Sequence, residues 1–202
     1  WANISAVFLM KSKTGLNILL IEKLIFDMYK KYRIFFILII AFAIRIVFLF
    51  LSGRHVNPEV WEYDKIAINM IQGKGYLYNH LNTSYSSFGY PGYTILSAVF
   101  YSITKCNYLL FIFFQDIISV LTCFFIYLIS GRIFDEKIAL FSSFLVAAHP
   151  GLIVYSTKLH ELTLLVFLIV FLYWLIIRLY LTKIYNNILI GGLTGIGVFT
   201  WP

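Results

Sequence analysis

Apolar residues run along this chain in long blocks separated by short polar stretches. Residues 34–52 are apolar apart from Arg45, and residues 108–130 apart from Gln115 and Asp116. At about 1.5 Å of rise per residue, blocks of this length come close to crossing or cross ~30 Å of hydrocarbon as helices. A shorter block follows at 138–153, a longer one at 163–181, and a last one at 188–202. The pattern predicts transmembrane helices over those five stretches. Residues 1–33 alternate short apolar runs with Lys11, Lys13, Lys23, Lys30, Lys31 and Arg33. Nothing there spans, and no small-residue cleavage site follows an apolar core. They read as a cytoplasmic or interfacial segment, with an amphipathic helix over 16–28.

Residues 53–107 hold most of the polar positions and read as one extracytoplasmic loop. Within them, 91–104 is apolar but too short to span. Treating it as re-entrant or interfacial places Arg132, Lys137 and Lys183 on the cytoplasmic side, as basic residues prefer. In that topology Arg45 and Asp116 lie roughly 10–12 Å deep. A charge at that depth wants a partner, so we expect a structural ion pair between Arg45 and Asp116, the alternative being that Arg45 snorkels outward and Asp116 lines a wet cavity.

Composition sharpens the picture. Of 202 residues, 61% are hydrophobic and 12% charged, with a mean hydropathy of +0.86. A soluble domain has roughly 25% charged residues, so this chain is an integral membrane protein. The net charge of +7 reflects cytoplasmic Lys and Arg, not a nucleic-acid partner. Cys106 and Cys123 fall in different environments and form no disulfide framework. Beginning at Trp1 and ending at Trp201-Pro202 inside an apolar run, the chain reads as a fragment of a longer protein.

The candidate chemistry gathers in the 53–107 loop. Asn57-Pro58-Glu59 has the form of a helix start, with Asn capping and Pro at the first helical position. The helix should run to about Gln72 and stop at Gly73. Glu59 and Glu62 would then share a face, with Asp64 pointing elsewhere. Acids near a helix N-terminus can serve as a general base or simply be solvated surface charge. His149, His160 and Glu161 could join Glu59 or Glu62 around a divalent cation, but they lack the tight spacing of a metal site. We therefore assign no metal ligands, and a divalent cation is the one cofactor left open.

The order of motifs adds to this. Pro58-Glu59-Val60-Trp61-Glu62-Tyr63-Asp64 leads to Gly73-Lys74-Gly75-Tyr76 and then Tyr90-Pro91-Gly92-Tyr93. Gln115, Gly131-Arg132-Ile133-Phe134 and His149-Pro150 follow. Over residues 34–202 this series resembles the bacterial GT-C glycosyltransferases of family 39, relatives of the protein O-mannosyltransferases and the aminoarabinose transferase. The resemblance implies an all-α, polytopic, GT-C-like membrane fold with juxtamembrane helices in the first extracytoplasmic loop. It also implies a multi-pass location in a bacterial plasma membrane and a role in the cell envelope. The implied activity moves a sugar from a polyprenyl-phosphate donor to a lipid, glycan or protein acceptor, with inversion.

In that family the acid four positions before the loop-one Tyr is the catalytic base. Here that position is Glu59, with Glu62 its rival. Glu161, beside His160, matches a second family acid that orients the acceptor or a cation. Arg54, His55, Lys74 and Lys158 are the cations available to the donor phosphate. The chain departs from the family pattern at Ser87-Phe88-Gly89, where an Arg is often found, and at Trp201-Pro202, where Arg-Pro is frequent. A transporter or lipid flippase, with Arg45 and Asp116 lining its path, is the alternative from another class. The clustering of acids in a loop, not at mid-membrane, favours the transferase.

Overall fold

The computed structural model describes residues 32–81, 83–86, 89–179, 191–192 and 194–195. The expectations for 1–31 and for nearly all of 188–202 lie outside the described residues. The chain divides into two units, Trp1–Phe36 and Ile37–Pro202. Of the first, only residues 32–36, the start of the first helix, are described.

The apolar blocks become helices with identifiable ends. Helix α1 covers Tyr32–Leu51 and stops before Gly53, whose φ of +71° lies in the left-handed region that glycine adopts without strain. Helix α2 is Glu62–Ile71, followed by a small antiparallel pair, β1 (Tyr78–His80) and β2 (Thr83–Tyr85), in which Tyr78 faces Tyr85. Helix α3, Pro91–Thr104, has proline at its first turn, where a missing N–H costs nothing. It ends at Lys105 and Cys106, both left-handed. The Asn107 side chain then caps α4, Tyr108–Ile133, by accepting from the Leu110 N–H. Asp135 caps α5, Glu136–Ala147, in the same way through the Ile138 N–H.

The apolar block at 138–153 is not one straight helix. Helix α5 ends at Ala147, and α6 (Pro150–Ser156) leaves at an angle of 53°. Proline has no N–H to donate, and its ring clashes with the preceding turn of a continuing helix. His149 caps the new start, its Nδ1 accepting from the Leu152 N–H. Helix α7 follows over Leu162–Leu179. Among the described residues two helices, α1 and α4, are long and apolar enough to cross a membrane, or three if α5 and α6 form one bent span. The fold is that of an all-α membrane protein.

Two packed regions hold the helices together. In one, Ala41, Cys123 and Ala147 bring α1, α4 and α5 close, and Gly131 meets Ala139 across the α4–α5 turn at 3.5 Å from an ideal Cβ. Small residues at helix crossings are how helices approach where lipid provides no hydrophobic drive between them. The other region lies where α1 ends and α4 begins. It packs Leu49, Tyr63, Tyr93, Tyr101, Phe111 and Leu159 from five segments. Several of its rings meet at centroid distances of 5.2–5.9 Å, each such pair worth ~0.5–1.5 kcal/mol beyond burial. The far side of α3 exposes Ile95, Val99 and Ile103, one turn apart on one helix face.

Candidate active site

Helix direction alone brings the polar segments to one end. Helix α1 ends at Leu51, α4 begins at Tyr108, α6 ends at Ser156 and α7 begins at Leu162, so residues 52–61 and 157–161 meet there. Glu59 is the centre of that meeting. The Lys158 Nζ lies 2.8 Å from its Oε2, and the Arg54 guanidinium donates to its Oε1 from Nε at 3.2 Å and Nη2 at 3.1 Å. The Arg54 Nη1 also donates to the Thr157 hydroxyl at 2.8 Å and the Val154 carbonyl at 3.3 Å. The two segments are thereby tied together. The Lys158 ammonium, and with it Arg54, holds the Glu59 carboxyl below its ordinary range. Its side chain keeps 43% exposure, so the carboxylate is reachable from water.

Glu59 is not helical, which corrects the helix start read from Asn57-Pro58. Helix α2 begins at Glu62, because the Asp64 carboxylate accepts the Trp61 N–H at 3.3 Å and fixes the first turn there. Glu59 is drawn out of any helical path by its two cations. Glu62 opens α2, half-buried, and makes no hydrogen bond or ion pair among the described residues. The two acids therefore do not share a helix face.

Behind this surface the next acids are buried. Glu161 is 2% exposed and accepts the Tyr63 hydroxyl at 3.1 Å, joining α2 to the segment before α7. Its Oε2 lies 3.5 Å from the His160 Nδ1. That nitrogen already accepts the Leu162 N–H at 3.2 Å, so it faces the carboxylate as an acceptor and not as an ion-pair donor. The His160 ring packs edge-on against Trp61 and Tyr155, and its carbonyl receives the Gln115 amide at 3.0 Å.

Sequence reasoning passed over Asp64 as a residue pointing away from the other acids. It is fully buried and accepts the Tyr101 hydroxyl from α3. Burial pushes its carboxyl up to about 7, against the bonds from the Tyr101 hydroxyl and from the Trp61 and Asp64 backbone N–H groups that favour the charged form. Trp61 is not a capping residue type, so the sequence announced neither the Asp64 bond to its N–H nor the approach of Tyr101.

The remaining candidates do not join the cluster. The His55 ring packs on Phe50, at 4.7 Å between centroids. Lys74 is exposed in the turn after α2 and has no ion pair among the described residues. No group of three acidic, His or Cys side chains suited to a metal occurs among them either. Arg45 and Asp116 are both fully buried. No ion pair within hydrogen-bonding reach links them. Arg45 instead donates to the Ser119 hydroxyl at 2.9 Å and to the Ala41 and Ala147 carbonyls at 2.8 and 3.4 Å.

The arrangement offers one accessible carboxylate between two cations, on a buried polar scaffold. That set can bind an anion and take a proton beside it. The sequence model of the dolichyl-phosphate-mannose-protein mannosyltransferase family matches residues 90–200, which include Lys158, His160 and Glu161 and begin after the loop-one acids. Comparison with curated proteins and with solved structures finds no match.

Proposed function

Because the chain belongs to the dolichyl-phosphate-mannose-protein mannosyltransferase family, membrane glycosyltransferases of the GT-C type, we propose that it takes sugar from a polyprenyl-phosphate donor and transfers it with inversion at the extracytoplasmic face. Glu59 is the base in this reading. The observation that carries it is the Arg54–Glu59–Lys158 contact, which puts a reachable carboxylate and two cations at one point.

The chemistry follows from those groups. Glu59 takes the proton of the acceptor hydroxyl as that oxygen attacks the anomeric carbon from the side opposite the phosphate. The bond from the anomeric carbon to the phosphate oxygen breaks, and the lipid phosphate leaves with the electron pair. A phosphate is a good enough leaving group that no second carboxylate must protonate it, unlike the usual case in glycoside hydrolysis. Arg54 and Lys158 meet the charge that grows on the phosphate oxygens. Turning toward the phosphate, they release Glu59, and its basicity rises when the acceptor needs it. Glu62, at the start of α2, orients the acceptor. Glu161 is too buried to touch substrate, and it positions α2 through Tyr63.

The assignment of faces is supported by Lys30 and Lys31, which precede α1 in the sequence, by Arg33 in its first turn, and by Arg132 and Lys137 beside the α4–α5 turn, a basic pattern characteristic of cytoplasmic segments. On this reading the protein is a multi-pass protein of the bacterial plasma membrane. Its acceptor is a lipid, glycan or protein of the cell envelope. Transfer by Glu59→Gln should fall by about 10²–10⁴-fold, the usual contribution of a general base, while Glu62→Gln stays within several-fold of the parent. Full activity in both variants overturns the base assignment.

A further inference from the structure

Arg54 is held on more than one side. Its guanidinium sits 5.5 Å from the centre of the Phe48 ring, within the reach of a cation over an aromatic face. The edge formed by Nε and Nη2 meets the Glu59 Oε1. The remaining corner, Nη1, donates to the Thr157 hydroxyl at 2.8 Å and to the Val154 carbonyl at 3.3 Å. The Arg54 side chain is 12% exposed against 43% for Glu59, so the arginine is the embedded member of the pair. The Lys158 ammonium meets the same carboxylate at 2.8 Å, on a flexible stem.

The end of α6 builds the corner that receives Nη1. Thr157 follows the last residue of that helix and is fully buried. Its hydroxyl donates to the Val154 carbonyl at 3.0 Å, one of the carbonyls that a helix end leaves without an intrahelical partner. A hydroxyl carries one proton and two lone pairs. With the proton committed to Val154, the lone pairs are what it offers to Arg54. The hydroxyl is therefore oriented before the arginine arrives, and its bond is the shorter of the two that Nη1 makes.

We propose that Thr157 is a positioning residue: its hydroxyl fixes one corner of Arg54 and so sets how the opposite edge meets Glu59. The inference rests on the reading of Glu59 as the base and adds a residue that acts on it through Arg54. Held at Nη1, the guanidinium turns about that corner, so its Nε–Nη2 edge leaves Glu59 and returns without quitting the site. Without the hydroxyl the arginine keeps only the longer Val154 bond at this corner, and its hold on Glu59 loosens. The charged groups that bear on Glu59 are Lys158 and Arg54, and both keep its carboxyl low. Loosening Arg54 therefore raises it.

Two measurements on the full chain in phosphatidylcholine nanodiscs test this. One is the acid limb of kcat/KM for sugar transfer from a polyprenyl-phosphate donor. The other needs no activity: a water-soluble carbodiimide attacks carboxyl groups in their protonated form, so its rate on Glu59 against pH, read by peptide mass spectrometry, gives that side chain's titration. Thr157→Val keeps the shape and removes the hydroxyl. Both curves should then move to higher pH by roughly half a unit, the size expected of an exposed ion pair. Thr157→Ser should keep the parent curves, and in an Arg54→Gln background Thr157→Val should add no further shift. An unmoved carbodiimide curve in Thr157→Val, a Thr157→Ser variant that behaves like Thr157→Val, or an added shift in the Arg54→Gln background overturns the role. Thr157→Ala removes the same hydroxyl and decides if Thr157→Val does not fold. Failure of both to fold also overturns the role, because the hydroxyl then serves the fold. An unmoved curve beside an inactive Glu59→Gln enzyme refutes Thr157 alone. A curve that moves while Glu59→Gln and Glu62→Gln are both fully active refutes the base and leaves Thr157 positioning Arg54.

Discussion

Lys158 reaches across from the segment before α7 to place its ammonium 2.8 Å from the Glu59 carboxylate. A cation so placed stabilises the charged acid and weakens it as a base, and it is also a natural ligand for a phosphate. Both roles can be read from one variant. Lys158→Ala should weaken donor binding by roughly 10–100-fold, as expected for charge-assisted bonds worth ~1.5–3 kcal/mol. It should also move the acid limb of kcat/KM. With Lys158 present the Glu59 pKa is depressed, so activity persists as pH falls through the ordinary carboxylate range. Without Lys158 the limb shifts to higher pH. Lys158→Arg should keep the parent profile, and a limb that stays put in Lys158→Ala would separate the lysine from the base.

Tyr63 and Glu161 give a prediction about structure. The Tyr63 hydroxyl donates to the Glu161 Oε1, and the Glu161 Oε2 has no donor. Tyr63→Phe therefore leaves a buried carboxylate with neither oxygen bonded, a loss of about 1.5–3 kcal/mol. Thermal unfolding of the purified protein should show a drop of several degrees. Glu161→Gln should be milder, because an amide costs less to bury than a charge. The double variant should recover part of the Tyr63→Phe loss, whereas strict additivity would mean the two side chains do not act as a pair.

Asp64 predicts a dependence of stability on pH. Its carboxyl is pushed up to about 7 by burial, against an ordinary value near 4. The folded chain therefore holds this proton more tightly than the unfolded chain does. The contribution is fully present below about pH 4 and is lost as pH rises through about 7. The unfolding temperature should be higher at pH 5 than at pH 8 by several degrees. Asp64→Asn, which still accepts the Trp61 N–H, should flatten that difference. An unchanged slope in Asp64→Asn would assign the pH dependence to another group.

These residues also mark what sequence could and could not reveal. The helices Tyr32–Leu51 and Tyr108–Ile133 follow apolar runs, because membrane crossing demands length and hydrophobicity that are written locally. Pro91 opens α3 and Gly73 follows α2 for equally local reasons. Asn57-Pro58 has the form of a helix start, yet α2 begins at Glu62 and Glu59 instead meets a lysine far along the chain. The bend before Pro150 hid inside a run whose composition suggested one span. Arg54 and Lys158 were legible as cations, yet only the return of α6 put them on one carboxylate while leaving His55 and Lys74 apart. The Tyr101–Asp64 bond depends on how α3 lies on α2, and no spacing announces that.

Arg45 and Asp116 supply the last prediction. Arg45 donates to Ser119, one turn along α4 from Asp116, while the Asp116 oxygens and the Arg45 Nη2 have no hydrogen-bond partner. Two opposite charges are thus buried in one pack without direct contact. We expect them to compensate each other through the field, which a low-dielectric interior transmits well. Arg45→Met alone leaves the aspartate uncompensated and should destabilise by about 3–5 kcal/mol, the usual consequence of breaking a buried charge pair. Arg45→Met with Asp116→Leu replaces both charges by apolar groups and should regain most of that loss, since such replacements are often neutral. Unfolding measurements on the four members of this cycle give the coupling directly. A coupling energy near zero would show that Ser119 and the two carbonyls alone sustain the arginine.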